Sequence, residues 1–153
     1  MTYWLMKSEP HVYSIADLER DKRTIWDGVR NYQARNFLRQ MQVGERAFFY
    51  HSNADPPGIV GLMEITQVNI IDPTQFDPQS PYYDPKSSPA NPRWWTVEVG
   101  YLQTCPTPLS LEQLRQSYNP HQFLVVRPGN RLSVLPVPPE IAQDIAAQTG
   151  LSL

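Results

Sequence analysis

The run Trp26–Arg39, WDGVRNYQARNFLR, brings a flat aromatic face, a flexible Asp27-Gly28 turn and the donors of Arg30 and Asn31 into one short segment. Asn31 stands where a helix start is expected, and the free backbone N–H groups of a helix start favour an anionic or acceptor-rich ligand. A π-face beside a fork of donors is what holding a planar heterocycle next to a phosphate requires. The residues alone leave a second reading open, in which Trp26 belongs to the core, Arg30 pairs with Asp27 or Glu9, and Asn31 is only a cap. A second stretch, Phe48–Asn53, sets His51 at the end of an apolar strand beside Ser52. These are the residue types of a nucleophile and its base, but a Ser–His pair also needs an orienting carboxylate and an oxyanion hole. A hydrogen-bonded strand-end histidine is the simpler expectation. His11 and His121 lie in proline-flanked turns and read as surface residues.

Other enzyme signatures are missing: there is no G-x-S-x-G elbow, no H-E-x-x-H helix, no Gly-rich phosphate loop and no G-x-G-x-x-G. Cys105 is the single cysteine, which excludes an internal disulfide, a Cys-x-x-Cys redox pair and a cysteine-rich zinc site. No catalytic residue, metal or cofactor is expected.

The elements that must position these residues follow from periodicity and punctuation. Thr2–Met6 reads as a strand that ends near Lys7-Ser8-Glu9-Pro10, because a residue before proline avoids the helical region. Ser14 and Asp17 form a capping-box-like start for a short helix to Lys22. From Asn31 as N-cap, Ala34, Phe37, Leu38 and Met41 recur at helical spacing and Gly44 follows the end, while Tyr32, Arg35 and Arg39 share another face. Ala47–Ser52 and Ile59–Ile71 read as strands, the second long enough to bend.

Between Asp72 and Pro92 six prolines forbid regular structure, but Phe76, Tyr82 and Tyr83 make the segment too aromatic for a linker, so an ordered, packed loop is expected. Trp94–Thr104, Phe123–Arg127 and Leu132–Leu135 read as strands, Ser110 caps a helix to Ser117, and Pro138-Pro139 opens a last helix ending at Gly150. Strands separated by short helices, without regular βαβ spacing, predict one α/β (mixed α+β) domain over residues 1–153, with a largely antiparallel, barrel-like sheet.

A length of 153 residues suffices for one core. Thirteen Lys+Arg against fifteen Asp+Glu exclude a chain-wide basic field for nonspecific nucleic-acid binding. The charge is uneven, however: segments 1–46 and 86–131 are net positive, and 47–85 and 132–153 net negative. If the positive segments meet, they form one basic face. No apolar run reaches the roughly 18 residues of a membrane span, and MTYWLMKSEPHVYS lacks the features of a signal peptide, so no membrane partner and a reducing, cytoplasmic setting are expected.

Eight ordered runs, YWLMKSEP, WDGVRNYQARNFLR, FFYHSN, PGIVG, DPTQFD, YYDPKS, NPRW and RLSVLPV, extend from Tyr3 to Val137 and together resemble the EVE domain family. The resemblance is loosest at Asn69–Ile71, at Trp94-Trp95 and after Val137. It implies a PUA-like pseudobarrel, related to YTH and ASCH domains, of mostly antiparallel strands with short flanking helices. It also implies a non-enzymatic, monomeric reader of a modified base in DNA or RNA. Carried over position by position, it places the pocket at Lys7, Ser8 and Glu9, at Trp26, Gly28, Val29, Arg30 and Asn31, at Tyr50, His51 and Ser52, and at Arg131 and Ser133.

In that reading a base leaves its stack, lies on Trp26 or another aromatic, and is read by Ser8, Asn31, His51 or Ser52. Arg30→Ala is then expected to weaken binding of modified nucleic acid more than of plain. Arg35, Arg39, Lys86, Arg93 and Arg131 are candidates for phosphate contacts. Two other functions stay open: a small hydrolase or nucleic-acid-processing enzyme using His51 with Ser52, Glu9 or Asp27, and a protein-interaction module built on the aromatic loop Phe76–Tyr83.

Overall fold

Alternation along the first strand sets the layout. In β1 (Tyr3–Ser8), Leu5 points into one apolar cluster while Trp4 and Met6 point into another, so the central sheet is covered on both faces. The computed structural model describes residues 1–153. Its six strands, completed by β2 (Arg23–Ile25), β3 (Arg46–His51), β4 (Gly58–Ile71), β5 (Trp95–Ser110) and β6 (Val134–Val137), pair in the order β2-β5-β4-β3-β1-β6. The β1/β3 ladder is parallel, with Leu5 opposite Phe48; the other four ladders are antiparallel. This is the mixed, mostly antiparallel architecture expected.

Helices close the two faces. α1 (Ile15–Asp21) starts in a reciprocal capping box between Ser14 and Asp17, and it packs so tightly on the sheet that a Cβ at Gly61 would collide with the Ile15 side chain. α2 (Tyr32–Gln40) is capped by Asn31, which accepts the Ala34 N–H at 2.9 Å; Ala34 and Leu38 are buried and Met41 follows them into the core. α3 (Leu111–Ser117) has its own capping box, Ser110 with Gln113. α4 (Pro139–Thr149) ends at Gly150 in the left-handed conformation. No helix is long and apolar enough to cross a membrane.

Three expectations are corrected. Phe123–Arg127 is not a strand: Leu124–Val126 form a 3-10 turn that drops Phe123, Val125 and Val126 into the core, a short apolar run whose periodicity could not distinguish the two. β2 was not foreseen, because Arg23–Ile25 is a three-residue edge strand with little burial of its own. β5 runs on past Thr104 to Ser110 through Pro106 and Pro108, which is possible because its register with β4 shifts there and no ladder bond is lost to the prolines.

The 72–94 segment is ordered, as its aromatics suggested. Gln75 is fully buried and staples it: its Nε2 donates to the carbonyls of Asp72 (2.7 Å) and Trp94 (2.9 Å), while its Oε1 accepts from the backbone of Arg93 and Trp94 and from the Ser87 hydroxyl. The loop is thereby fixed beside the turn that follows β2.

Candidate functional site

A cleft of about 690 Å³ opens where the end of β1, the turn after β2 and the segment before β6 converge. β1 and β2 are far apart in the strand order, so the sheet must curl to bring them to one cavity. Nine of the thirteen predicted pocket residues line it: Lys7, Ser8, Glu9, Trp26, Gly28, Val29, Ser52, Arg131 and Ser133. Short-range bonds tie its walls together, with the Lys7 N–H donating to the Ser133 carbonyl at 2.8 Å and the Ser52 N–H to the Ser8 carbonyl at 3.0 Å. The Ser8 hydroxyl donates to the Tyr13 carbonyl at 2.7 Å and holds the 9–13 turn at the rim.

The cleft's charges are distinctive. Burial pushes the Lys7 ammonium below the usual lysine range, and its Nζ lies 5.4 Å from the Tyr50 ring centroid with no anion beside it. Glu9 is engaged by Asn53 Nδ2 at 3.1 Å and His11 Nε2 at 3.3 Å. Burial, and then the neighbouring Asp72 charge, push the Asp27 carboxyl upward. Arg131 is exposed and makes no ion pair.

Four predicted pocket residues are not in the cavity wall. Arg30 lies behind it, with every guanidinium N–H committed: Nε and Nη2 to the Tyr82 carbonyl, Nη1 to the Val29 carbonyl and Asp72 (3.0 Å), and Nη2 also to Thr74 Oγ1. Its partner is therefore Asp72, neither Asp27 nor Glu9. Asn31 is spent as the α2 cap. Tyr50 is buried in the core cluster with Leu5 and Phe48, beneath the Lys7 ammonium. His51 Nε2 accepts the Ile15 N–H at 3.1 Å, so its lone pair caps α1, and burial lowers its pKa. Trp26 lines the cleft but is only 7% exposed, its ring T-shaped against Phe49 at 5.3 Å.

Sequence reasoning missed Val12, Tyr13, Thr24, Ile25, Asp27 and Tyr82 as lining residues. The Tyr82 ring packs over Gly28, and no local signal joins positions so far apart in the chain. Asp27 enters the sequence reading as a turn residue, a possible partner of Arg30 and an acid for catalysis.

The predicted phosphate-contact residues other than Arg131 lie outside the cleft. Arg35 Nη1 donates to the Arg93 carbonyl at 3.0 Å, with its guanidinium 4.8 Å from the Tyr32 ring, and Arg39 lies 5.0 Å from the Trp95 ring. The two positive sequence segments therefore do meet, along α2 and Arg93–Trp95. Lys86 is exposed in the adjoining loop.

The model of the EVE domain family matches residues 2–148. The chain belongs to the EVE domain family. Human thymocyte nuclear protein 1 is 42% identical over 157 residues, covering 91% of this chain and 70% of that protein. A solved Pseudomonas syringae protein superposes with a TM-score of 0.92 at 45% identity, covering 96% of this chain and 99% of the other. The human THYN1 protein, solved in complex with DNA containing 5-methylcytosine, superposes with a TM-score of 0.91 at 39% identity, with both chains covered in full. In this EVE domain the only aromatic ring besides Trp26 and Tyr13 in the cleft wall is that of Tyr82.

Proposed function

We propose that this EVE domain is a non-enzymatic reader that holds one modified base of DNA in the cleft between Lys7–Glu9, Trp26–Val29 and Arg131–Ser133. The observation that carries the reading is the cleft itself: its volume of about 690 Å³ suits a small planar ligand, and it combines aromatic edges with unpaired cations. The binding of 5-methylcytosine DNA by the human THYN1 protein, whose fold this chain shares, supports the same ligand class. Lys7 and Arg131 supply positive charge near the strand that enters, while Ser52 and Ser133 offer hydroxyls to a base edge and Ser8, whose proton goes to Tyr13, offers an acceptor. The chain acts as a monomer in this reading, and a single-stranded RNA carrying a modified base is a second ligand of the same geometry.

The arrangement favours binding over proton transfer. His51, the only histidine near the cleft's end of β3, has its acceptor nitrogen engaged by the α1 backbone. The interaction-module reading loses its support as well, because Phe76 is half-buried and Tyr82 turns into the cleft, leaving Tyr83 the exposed aromatic of that loop. A panel of short oligonucleotides carrying plain and modified cytosine, adenine and uracil, in single and double strands at one salt concentration, tests the proposal. Tighter binding of at least one modified member than of its plain parent is expected; uniform affinity across every pair would refute it.

A further inference from the structure

Asp27 is the one acidic side chain in the cleft wall that no other residue engages. Its backbone is nevertheless fixed on both sides. The Trp26 N–H donates to the Val97 carbonyl at 2.9 Å, the Trp26 carbonyl accepts the Thr96 hydroxyl, and the Gly28 N–H donates to Asp72 Oδ2 at 2.9 Å. The nearest cation, Arg30, has no N–H left to give it. Lys7 and Arg131 line the same cavity from the other edge of the sheet, and neither forms an ion pair with it. The result is an acceptor held at a set place in a binding cleft with no donor from any other residue.

A phosphate would be repelled from that place, since like charges at contact distance oppose each other. The group the cleft presents to Asp27 must therefore be a donor. On a nucleobase that donor is an exocyclic amino group, which a carboxylate accepts. The corresponding carbonyl of a thymine-type edge would set two acceptors face to face and leave both without a partner. Asp27 is solvent-exposed in the cleft, so a base that covers it displaces water from the carboxylate and must bring a donor in its place.

We infer that Asp27 accepts a hydrogen bond from the exocyclic amino group of the base held in the cleft, selecting amino-bearing bases such as 5-methylcytosine over carbonyl-bearing ones such as thymine. The inference rests on the reading of the cleft as a base-binding site. 5-Methylcytosine and thymine share their methyl group and differ at position 4, amino against carbonyl, and at N3, acceptor against N–H donor, so a carboxylate that meets the position-4 edge favours 5-methylcytosine and one that meets N3 favours thymine. Placing either base opposite an abasic site in the same duplex removes the difference in base pairing.

Fluorescence anisotropy at one salt concentration then compares the wild type with Asp27→Asn, whose amide can serve either edge. The wild type is expected to favour 5-methylcytosine over thymine by about tenfold, and Asp27→Asn to bring that ratio close to unity while keeping the thermal unfolding midpoint. An unchanged ratio in Asp27→Asn, or no preference over thymine in the wild type, overturns the role of Asp27. If that happens while 5-methylcytosine still outcompetes plain cytosine, the reader function stands without it. Equal binding of 5-methylcytosine and cytosine by the wild type overturns the base-reading function, and the role of Asp27 with it.

Discussion

Arg30 grips the Tyr82 carbonyl with two donors, Nε at 2.9 Å and Nη2 at 2.7 Å, across 52 positions of the chain. The same guanidinium binds Asp72 at 3.0 Å, and Asp72 in turn receives the Gly28 N–H at 2.9 Å. Three segments are thereby locked into one cleft wall: the turn after β2, the start of the 72–94 loop and its middle. Arg30 builds the site rather than touching what enters it. That replaces the expectation of a direct, modification-selective role.

Arg30→Ala is expected to leave the buried Asp72 carboxylate without its cation and to lower unfolding stability by about 3 kcal/mol. Binding should weaken by a similar factor for modified and plain DNA. Arg30→Lys should recover little, because a point charge cannot reproduce the planar fork. Denaturant titrations beside binding isotherms check both; unchanged stability with a loss confined to modified DNA would put Arg30 back in the recognition role.

Gly28 is irreplaceable for two separate reasons. Its φ of +83° lies in the left-handed region, and a Cβ there would sit 2.7 Å from the Tyr82 ring. Gly28→Ala should cost about 1–2 kcal/mol and push Tyr82 out of the cleft wall. Combining it with Tyr82→Ala should return only the part due to the collision. A double-mutant cycle on the unfolding free energy measures that coupling, and strictly additive losses would contradict the geometry.

On the proposed reading, stacking is expected at Tyr82 rather than at Trp26. Tyr82→Ala is expected to weaken binding by about tenfold, in line with about 1–3 kcal/mol per stacked base, while Tyr82→Phe stays close to wild type. The Arg30 hydrogen bonds survive both changes, since they go to the backbone carbonyl, while Tyr82→Ala also removes the ring that the guanidinium faces at 5.9 Å. Trp26→Ala should instead act through the fold, costing about 3–5 kcal/mol as a buried tryptophan does. Full stability of Trp26→Ala together with lost binding would reverse the two roles.

Only a neutral His51 can accept the Ile15 N–H. Burial holds its folded pKa below the unfolded value of about 6.5. As pH falls, the unfolded chain takes up the proton first. The stabilisation is therefore complete above that unfolded value and is lost as pH drops from it toward the lower folded one. His51→Gln, whose amide oxygen accepts without titrating, should show a shallower fall in Tm across this window. Parallel pH profiles for the two proteins would count against the cap.

Local chemistry in the sequence located the helix starts, and the family resemblance located most of the cleft's lining. The Ser14 capping box, the Ser110 and Asn31 caps and the α2 stripe are short-range patterns, and they appear where expected. Residues at strand ends, such as Lys7, Ser52 and Ser133, were reached through family resemblance and do line the cleft. What escaped were features set by distant pairing. Nothing near Arg30 reveals that its donors go to Asp72, Thr74 and Tyr82, and nothing near Tyr82 reveals that it faces Gly28. Tyr50 went astray for a simpler reason. It is only 2% exposed, buried with Leu5 and Phe48 beneath Lys7, and an apolar run such as Phe48–Tyr50 does not show which member reaches the cavity.

The most direct test of base binding in the cleft is a map of backbone amide shifts in isotopically labelled protein, recorded with a duplex carrying one 5-methylcytosine and with its unmodified twin. The modified duplex should add strong shifts at Ser8, Gly28, Ser52 and Ser133, around the cavity. Identical maps for the two duplexes, or added shifts confined to Tyr32–Arg39 on α2, would contradict it.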